Sequence, residues 1–173
     1  MADEKKYCMT RYPAKVLSSP AEPIAEITDD IRQLVARMIE IMIEHRGVGL
    51  AGPQAGVNLR IFIISLDGTA ESAKVYINPK IKTSGGLEAN SEGCLSLPNI
   101  TANIKRFKLC TVTATDLDGN EFTEDANGLY SRALQHEFDH LEGMMIKDRM
   151  GRVSAIAAKR HLKKLEEEHE SNN

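Results

Sequence analysis

Most of what this chain reveals lies in one segment, Gln135-His-Glu-Phe-Asp-His-Leu-Glu-Gly143, which contains the pattern H-E-x-x-H. Residues four apart lie on the same face of an α-helix, so His136 and His140 can bind a single metal ion. Glu137 then lies where metallohydrolases place a general base. The flanking residues predict a buried helix, since four of them are apolar: Ala133, Leu134, Phe138 and Leu141. A surface helix that carries two histidines by chance is the alternative.

Three helices are predicted from apolar residues at helical spacing. The helix that carries the motif covers residues 127–141, and Gly143 lies just beyond its end. An earlier helix follows Thr28, a favourable N-cap residue, and is expected to stop at Gly47. A final amphipathic helix runs from residue 154 to about 168.

Strands are predicted between the first helix and the motif helix. Residues 59–66 form one strand, and residues 75–87 form two short strands that Asn78-Pro79 separates. Residues 109–117 alternate as a strand and enter a hairpin turn at Asp118-Gly119. Hairpins rather than βαβ crossovers predict an α+β fold. We expect antiparallel β-sheets packed around the central motif helix, with an N-terminal helix and a C-terminal helix.

Length and composition indicate an ordinary globular chain. Its 173 residues predict one domain over 1–173, with flexible ends at 1–10 and 169–173. A net charge of -3 argues against nucleic acid as the main partner. No run approaches the roughly 18 apolar residues of a membrane span. The first residues lack the apolar core of a signal peptide and carry acids that a transit peptide avoids, so we expect a cytoplasmic protein.

A third metal ligand must come from outside the motif, because catalytic sites usually have three protein ligands. The best candidate is Cys94, which lies in the irregular segment Ser91-Glu-Gly-Cys-Leu-Ser-Leu-Pro98. Cys8 lies near the terminus, and Cys110 fits a small core residue in a strand. Glu142 could complete a two-histidine-carboxylate site, but its position on the helix points elsewhere. These residues alone leave Cys94 evenly balanced between metal ligand and structural thiol.

A glycine-rich segment, Gly47-Val-Gly-Leu-Ala-Gly52, formally matches the dinucleotide pattern G-x-G-x-x-G. That pattern requires a preceding strand and a following helix, whereas here a helix precedes it, so we reject the nucleotide site. Its glycines would instead let the backbone approach a ligand closely. Gln54 could then donate an amide N–H to a carbonyl oxygen. A tight helix-to-strand connection would explain the glycines but not Gln54.

Three segments together resemble the three motifs of the peptide deformylase family, in the family's order. They are Gly47-Val-Gly-Leu-Ala-Gly-Pro-Gln54, Glu92-Gly-Cys-Leu-Ser96 and Gln135-His-Glu-Phe-Asp-His140. Each segment alone is a weak or moderate signal, but the trio is specific. The resemblance extends to Arg11-Tyr-Pro13 and to the C-terminal helix, so it covers nearly the whole chain.

The resemblance implies one divalent metal ion and a hydrolytic reaction. The ion would natively be Fe²⁺, with Zn²⁺ or Ni²⁺ as substitutes, although ligand type alone would favour zinc. Its ligands would be Cys94, His136 and His140. Glu137 would be the general acid and base, while the Gln54 amide and the Leu95 backbone N–H would stabilise the oxyanion. The reaction would remove the formyl group from N-terminal formyl-methionine.

The resemblance also implies how substrate binds. Gly49 would pair its backbone with an N-formyl-methionyl peptide of a nascent chain, and a ribosome contact is compatible with that role. The methionine side chain would meet three residues: Val48, Leu129 and Ala133. Gly52 replaces an alanine usual in the family, which predicts a looser loop. Thr101 replaces an arginine found in some bacterial members, which puts the binding of longer peptides in doubt.

Two other functions use the same residues. A small H-E-x-x-H peptidase would cleave internal bonds of unformylated peptides. A non-catalytic peptide-binding module would hold a structural metal, but such sites have four protein ligands and no fourth is evident. We also predict an ion pair between Arg106 and Asp139 that supports the metal site from behind.

Overall fold

Along the chain, the first helix is followed by five strands and then by the helix that carries the H-E-x-x-H motif. The computed structural model describes residues 6–171 of the chain. Its elements are α1 (Asp29–Glu44), β1 (Gly49–Ala51), β2 (Ile61–Ile64), β3 (Lys74–Cys94), β4 (Leu97–Thr115), β5 (Glu121–Asn127), α2 (Gly128–Leu141), α3 (Ile146–Arg149) and α4 (Arg152–Ser171). Short 3₁₀ turns cover Lys15–Ser18 and Gly52–Ala55. Of the chain ends that we predict to be flexible, residues 1–5 and 172–173 lie outside the described part.

The strands form one antiparallel sheet in the order β1-β2-β3-β4-β5. Helix α2 packs on this sheet, and its apolar face meets Phe62, Tyr76 and other residues of β2 to β5. The α+β prediction with a central motif helix is therefore confirmed. Among the described helices, none combines the length and apolar character needed to cross a membrane.

The prediction of two short strands over residues 75–87 is wrong. A single strand, β3, runs from Lys74 to Cys94, and its partner β4 begins at Leu97 rather than at residue 109. The register shifts between Ile77 and Lys80, where Asn78-Pro79 lies. Such irregularities absorb a proline or extra residue without ending the ladder. Cys94 consequently lies at a strand end, not in an irregular loop.

Helix α1 buries the predicted apolar stripe against β1 and β2. Its C-terminus differs from the prediction, because the left-handed residue is Arg46 (φ +56°) rather than Gly47. The Arg46 N–H donates to the Ile43 carbonyl at 3.0 Å, and the Gly47 N–H donates to the Met42 carbonyl at 2.8 Å. These two hydrogen bonds form a Schellman motif, with an arginine at the position that glycine usually occupies.

A side-chain clamp positions α2 on β4. The Phe107 N–H donates to Gln135 Oε1 at 3.1 Å, and Gln135 Nε2 donates back to the Phe107 carbonyl at 2.9 Å. Gln135 directly precedes His136, so this clamp fixes the helix where its histidines begin.

Candidate metal centre

Three side chains that can bind a metal meet where β3 ends beside α2. The ligand atoms of Cys94, His136 and His140 all lie within 4.8 Å of one another. Cys94 Sγ is 3.4 Å from His140 Nε2. His140 is buried, while Cys94 and His136 are partly exposed to a cleft. The predicted trio is thus brought together by the β3–β4 hairpin folding over the helix.

A carboxylate behind the trio orients one histidine. Glu92 accepts a hydrogen bond from His136 Nδ1 at 3.0 Å, which leaves Nε2 free to face the cluster. Arg106 donates to both oxygens of Glu92 at 3.0 Å, and Arg132 donates to Oε1 at 2.7 Å. Burial alone would raise the pKa of Glu92, but hydrogen bonds from His136 and Arg106 outweigh it and hold that pKa well below its ordinary value.

The predicted ion pair between Arg106 and Asp139 is present, with Nη1 and Oδ2 separated by 2.5 Å. Arg149 also donates to Asp139. Arg106 therefore links Glu92 to Asp139 inside the protein, and each of these charges has an opposite partner. Buried charges without such partners are strongly unfavourable.

Glu137 has a contrasting environment. Its side chain is only 4% exposed, and its Oε2 has no hydrogen-bond partner within residues 6–171. Burial raises the pKa of Glu137 to about 7, although the charges of His136 and Arg106 act in the opposite direction. A carboxyl group that titrates near neutrality can both accept and donate a proton at physiological pH.

The pKa values of the two histidines are also shifted in opposite directions. Burial and the charges of His136 and Arg106 lower the pKa of His140 well below its ordinary value, so its imidazole is neutral. For His136, burial lowers the pKa, but contacts with Cys94 and Glu92 raise it overall. Metal ligands must be deprotonated, so a metal that binds here displaces a proton. One thiolate and two imidazoles form a donor set that suits zinc or iron.

Gln54 is locked beside the cluster. Its Oε1 accepts the Ala51 N–H at 3.0 Å, so the amide nitrogen faces Ser96 Oγ at 3.2 Å and Cys94 Sγ at 3.6 Å. The side chain is 2% exposed. Leu95 lies in the short turn between β3 and β4, directly after Cys94. Both predicted oxyanion donors therefore lie next to the thiol.

Gly49 lets β1 approach the general-base candidate. A Cβ added at Gly49 would lie 2.5 Å from Glu137 Oε1, so only glycine fits there without a shift. β1 is the edge strand of the sheet, and the Ser65 N–H donates to the Val48 carbonyl at 2.8 Å. Antiparallel residues alternate in the side they face, so the Gly49 N–H and C=O point towards the open edge.

Gly52 is a packing requirement rather than a source of loop mobility. It is buried, and a Cβ there would lie 2.6 Å from the Leu59 carbonyl oxygen. An alanine would therefore require the backbone of residues 52 and 59 to separate. The sequence-based expectation, that glycine at position 52 loosens the loop, does not explain why the backbone of residues 52 and 59 lies so close together.

An open cleft of about 540 Å³ leads to the cluster. The residues predicted to meet a methionine side chain all line it: Val48, Leu129 and Ala133. Leu129 is 60% exposed and Val48 is 39% exposed, so the structure leaves apolar surface open to a ligand. Thr101 also lines the cleft.

The rival ligands lie elsewhere. Glu142 Oε1 pairs with Arg60 Nη2 at 2.7 Å, away from the cluster. Cys110 belongs to the apolar core, where burial raises its pKa to about 11, and Cys8 is exposed. Sequence reasoning assigned no role to Glu92 or Arg132. The position of Glu92 two residues before Cys94 was the one available signal for it.

Similarity to known proteins extends over most of the chain. The family model described as polypeptide deformylase matches residues 7–155. A peptide deformylase of Acidobacterium capsulatum is 39% identical over 160 residues, which cover 91% of this chain and 94% of that protein. Peptide deformylase 1 of Clostridium perfringens is 44% identical over 135 residues, with coverage of 78% and 90%. A solved structure of peptide deformylase from Plasmodium falciparum has a TM-score of 0.92 at 29% identity and covers 95% of this chain and 98% of that chain.

Proposed function

This chain belongs to the polypeptide deformylase family, and we propose that Cys94, His136 and His140 hold its metal ion while Glu137 moves the protons of the reaction. The chain is a metal-dependent hydrolase that removes the formyl group from N-formyl-methionyl peptides and releases formate. The observation that carries the residue assignment is the convergence of the three donor atoms beside Glu137, whose Oε2 has no hydrogen-bond partner within residues 6–171. The family match favours this function over a peptidase or a non-catalytic module.

We propose Fe²⁺ as the native ion, with Zn²⁺ or Ni²⁺ able to use the same donors. Held by Cys94, His136 and His140, such an ion would supply Lewis-acid chemistry to the site when bound. Glu92 holds the His136 ring through Nδ1, and Arg106 and Arg132 keep Glu92 ionised for that purpose. A thiolate beside ferrous iron is oxidisable, so we expect activity to be sensitive to oxygen.

Glu137 acts as base and then as acid. Its carboxylate accepts a proton from the water that attacks the formyl carbon. It then delivers this proton to the amide nitrogen as the C–N bond breaks, so that formate and a free amino terminus leave. Burial raises the pKa of Glu137, which favours delivery of the proton to the amide nitrogen in the second step.

Gln54 and Leu95 stabilise the negative charge that develops on the formyl oxygen. The Gln54 amide nitrogen already faces Cys94, because the Ala51 N–H holds the opposite end of the amide. The Leu95 backbone N–H approaches from the adjacent turn. Removing one such donor typically costs about 2.7–4 kcal/mol of transition-state stabilisation.

The substrate peptide adds to the free edge of β1. The Gly49 N–H and C=O would pair with it as one more antiparallel strand. Its methionine side chain would contact the apolar part of the cleft: Val48, Leu129 and Ala133. We further propose that residues 1–173 form one catalytic domain that works in the cytoplasm on nascent chains; a ribosome contact stays a prediction.

The test is formate release from formyl-Met-Ala-Ser by protein that is prepared without oxygen and loaded with Fe²⁺. We expect rapid release by the native chain and loss of release in Glu137→Gln with full metal content. Glu121→Gln, an exposed glutamate on the β4–β5 hairpin, is the matched control and should behave as the native chain. Turnover retained in Glu137→Gln would exclude its role as base, whereas no release from metal-loaded native protein would exclude the substrate.

A further inference from the structure

Two exposed arginines line the outer end of the cleft, Arg11 and Arg46. Within residues 6–171, neither guanidinium has an ion-pair or hydrogen-bond partner. Arg46 directly precedes Gly47 at the entry to β1. Arg11 lies beside the β3–β4 turn, because its neighbours Thr10 and Tyr12 both hydrogen-bond to Ser96. The two side chains thus reach the same cleft from two of its walls.

No exposed carboxylate balances these charges among the described residues that line the cleft. Its two acids are Glu92 and Glu137, and both are buried. Arg106 and Arg132 neutralise Glu92, as described above. The outer cleft is therefore locally cationic, although the whole chain has a formal net charge of -3.

The backbone at Arg46 supports a role for its side chain. Arg46 adopts φ +56°, the left-handed conformation that favours glycine at a helix C-terminus. A non-glycine residue there is conformationally unfavourable, and such residues are often found at functional sites. Packing does not require the arginine, since its side chain is exposed.

The geometry of β1 determines which way a bound peptide leaves the site. Beyond Gly49 towards the C-terminus, Ala51 and Gln54 are buried and block the path. Towards the N-terminus, Val48 is 39% exposed and Arg46 is exposed. A peptide paired with Gly49, with its formyl end at Glu137, must therefore extend past Arg46. Arg46 lies three residues before Gly49 and lines the same cleft, so its exposed side chain lies where the second or third peptide residue would pass.

We propose that Arg46, assisted by Arg11, forms a subsite for a carboxylate on one of the two residues that follow formyl-methionine. This inference rests on the proposed function, since it assumes that the substrate pairs with β1. Exposed ion pairs contribute modestly, so one acidic residue should raise kcat/KM about two- to five-fold over its neutral amide. The effect lies mainly in KM, because the guanidinium is remote from the bond that breaks.

The test uses C-terminally amidated peptides, which lack a terminal carboxylate. We would compare formyl-Met-Asp-Ala-amide with its Asn and Lys counterparts, and then place the same three residues at the third position. Dissociation constants are measured with metal-loaded Glu137→Gln, which does not consume the peptide, and kcat and KM with the native chain. We expect tighter binding of Asp than of Asn, weaker binding of Lys, and loss of the difference at high salt, since exposed charges are screened.

Variants of the arginines provide the decisive comparison. Arg46→Gln should abolish most of the preference for Asp, and Arg46→Glu should reverse it in favour of Lys. Arg152→Gln, an exposed arginine on α4 outside the cleft, should keep the native preference. Equal affinities for Asp, Asn and Lys, or a preference unchanged in the double Arg11→Gln/Arg46→Gln variant, would overturn the subsite. Charge-dependent binding without formate release would instead refute the proposed function and leave the subsite standing.

Discussion

Two buried glutamates, Glu92 and Glu137, flank His136 and have opposite proton affinities. Glu92 accepts hydrogen bonds from His136, Arg106 and Arg132. The contacts with His136 and Arg106 outweigh burial and hold its pKa low. Glu137 is equally buried, but its Oε2 has no partner among residues 6–171, and its pKa rises to about 7. Burial raises the pKa of both carboxyl groups, and only Glu92 has hydrogen-bond partners that outweigh this effect.

This comparison separates a supporting carboxylate from a proton-transferring one. Paired carboxylates whose environments push their pKa values apart are a recurrent sign of divided roles in catalysis. Glu92 stays ionised and accepts a hydrogen bond from His136, which we propose as a metal ligand, whereas burial raises the pKa of Glu137 to about 7. The following changes test this division, beginning with the largest expected effect.

Replacing each glutamate by glutamine should impair the enzyme in different ways. Glu137→Gln removes the proton carrier, so we expect kcat to fall about 10²–10⁴-fold while metal content is kept. Glu92→Gln removes a partner of His136, so we expect metal affinity to fall about 10–100-fold. Formate release and metal analysis on the same samples distinguish the two losses. Loss of metal in Glu137→Gln, or normal metal affinity in Glu92→Gln, would contradict the division.

Gly49→Ala should disturb Glu137 and leave Glu92 unaffected. The new Cβ would lie 2.5 Å from Glu137 Oε1, which must move. A displacement near 1 Å at a reacting group can cost about a hundredfold in rate, so we expect a loss of that size with normal metal content. Gly151→Ala is the control, since no atom lies within 4 Å of its added Cβ. If Gly49→Ala kept its native rate, Glu137 would not depend on this close approach.

At neutral and higher pH, the two glutamine substitutions should change the stability of chelator-treated protein in opposite directions. The folded-state pKa of Glu137 is raised from 4.5 to about 7, so stability from its neutral form is present below 4.5 and lost as pH rises through 7. Glu137→Gln should therefore be more stable than the native chain above pH 7, by roughly 3 kcal/mol at most, and similar to it below pH 4.5.

Glu92 has a lowered folded-state pKa, so its stabilising effect is present above its ordinary value of 4.5 and lost as pH falls below it. Glu92→Gln should accordingly be destabilised most at neutral pH. Urea unfolding at several pH values measures both variants. The same sign of change at pH 8 in the two variants would show that their environments do not differ as described.

The smallest effect is expected for Arg46 at the outer end of the cleft, away from both carboxylates. Arg46→Gly removes a non-glycine residue from φ +56° and should stabilise the fold by about 1 kcal/mol. It should also remove most of the preference for acidic over amide side chains in the amidated peptides. Thermal unfolding and peptide kinetics measure the two effects. A destabilised Arg46→Gly variant would mean that the arginine makes a favourable contact in the fold.

Local patterns were enough to predict the helices and part of the metal site. The apolar stripe of α1 and the spacing of His136 and His140 are properties of one helix, so helical periodicity reveals them. Cys94 was different, because the residues left its role open and only the resemblance of three motifs assigned it. The choice between Arg46 and Gly47 at the end of α1 was also beyond local rules, which favour glycine in the left-handed position.

The length of β3 could not be predicted, because residues 82–91 are exposed on both faces of the strand. Without a buried face, polar and apolar residues need not alternate, and the usual strand signal is lost. The start of β4 was missed although Ile100, Ala102 and Ile104 alternate there with exposed residues.

The sequence by itself determined the central helix, its two histidines and its glutamate, since the three side chains lie within five consecutive residues of one helix. Only the tertiary structure decided which glutamate has the raised pKa that we propose serves proton transfer. The pairing of β3 with β4 brings Arg106 to Glu92 across 14 residues of chain, and the packing of α2 on the sheet brings Arg132 there across 40. In the same way, β1 places Gly49 against Glu137. A carboxyl pKa depends on such distant neighbours and on burial, and neither is encoded in the spacing of nearby residues.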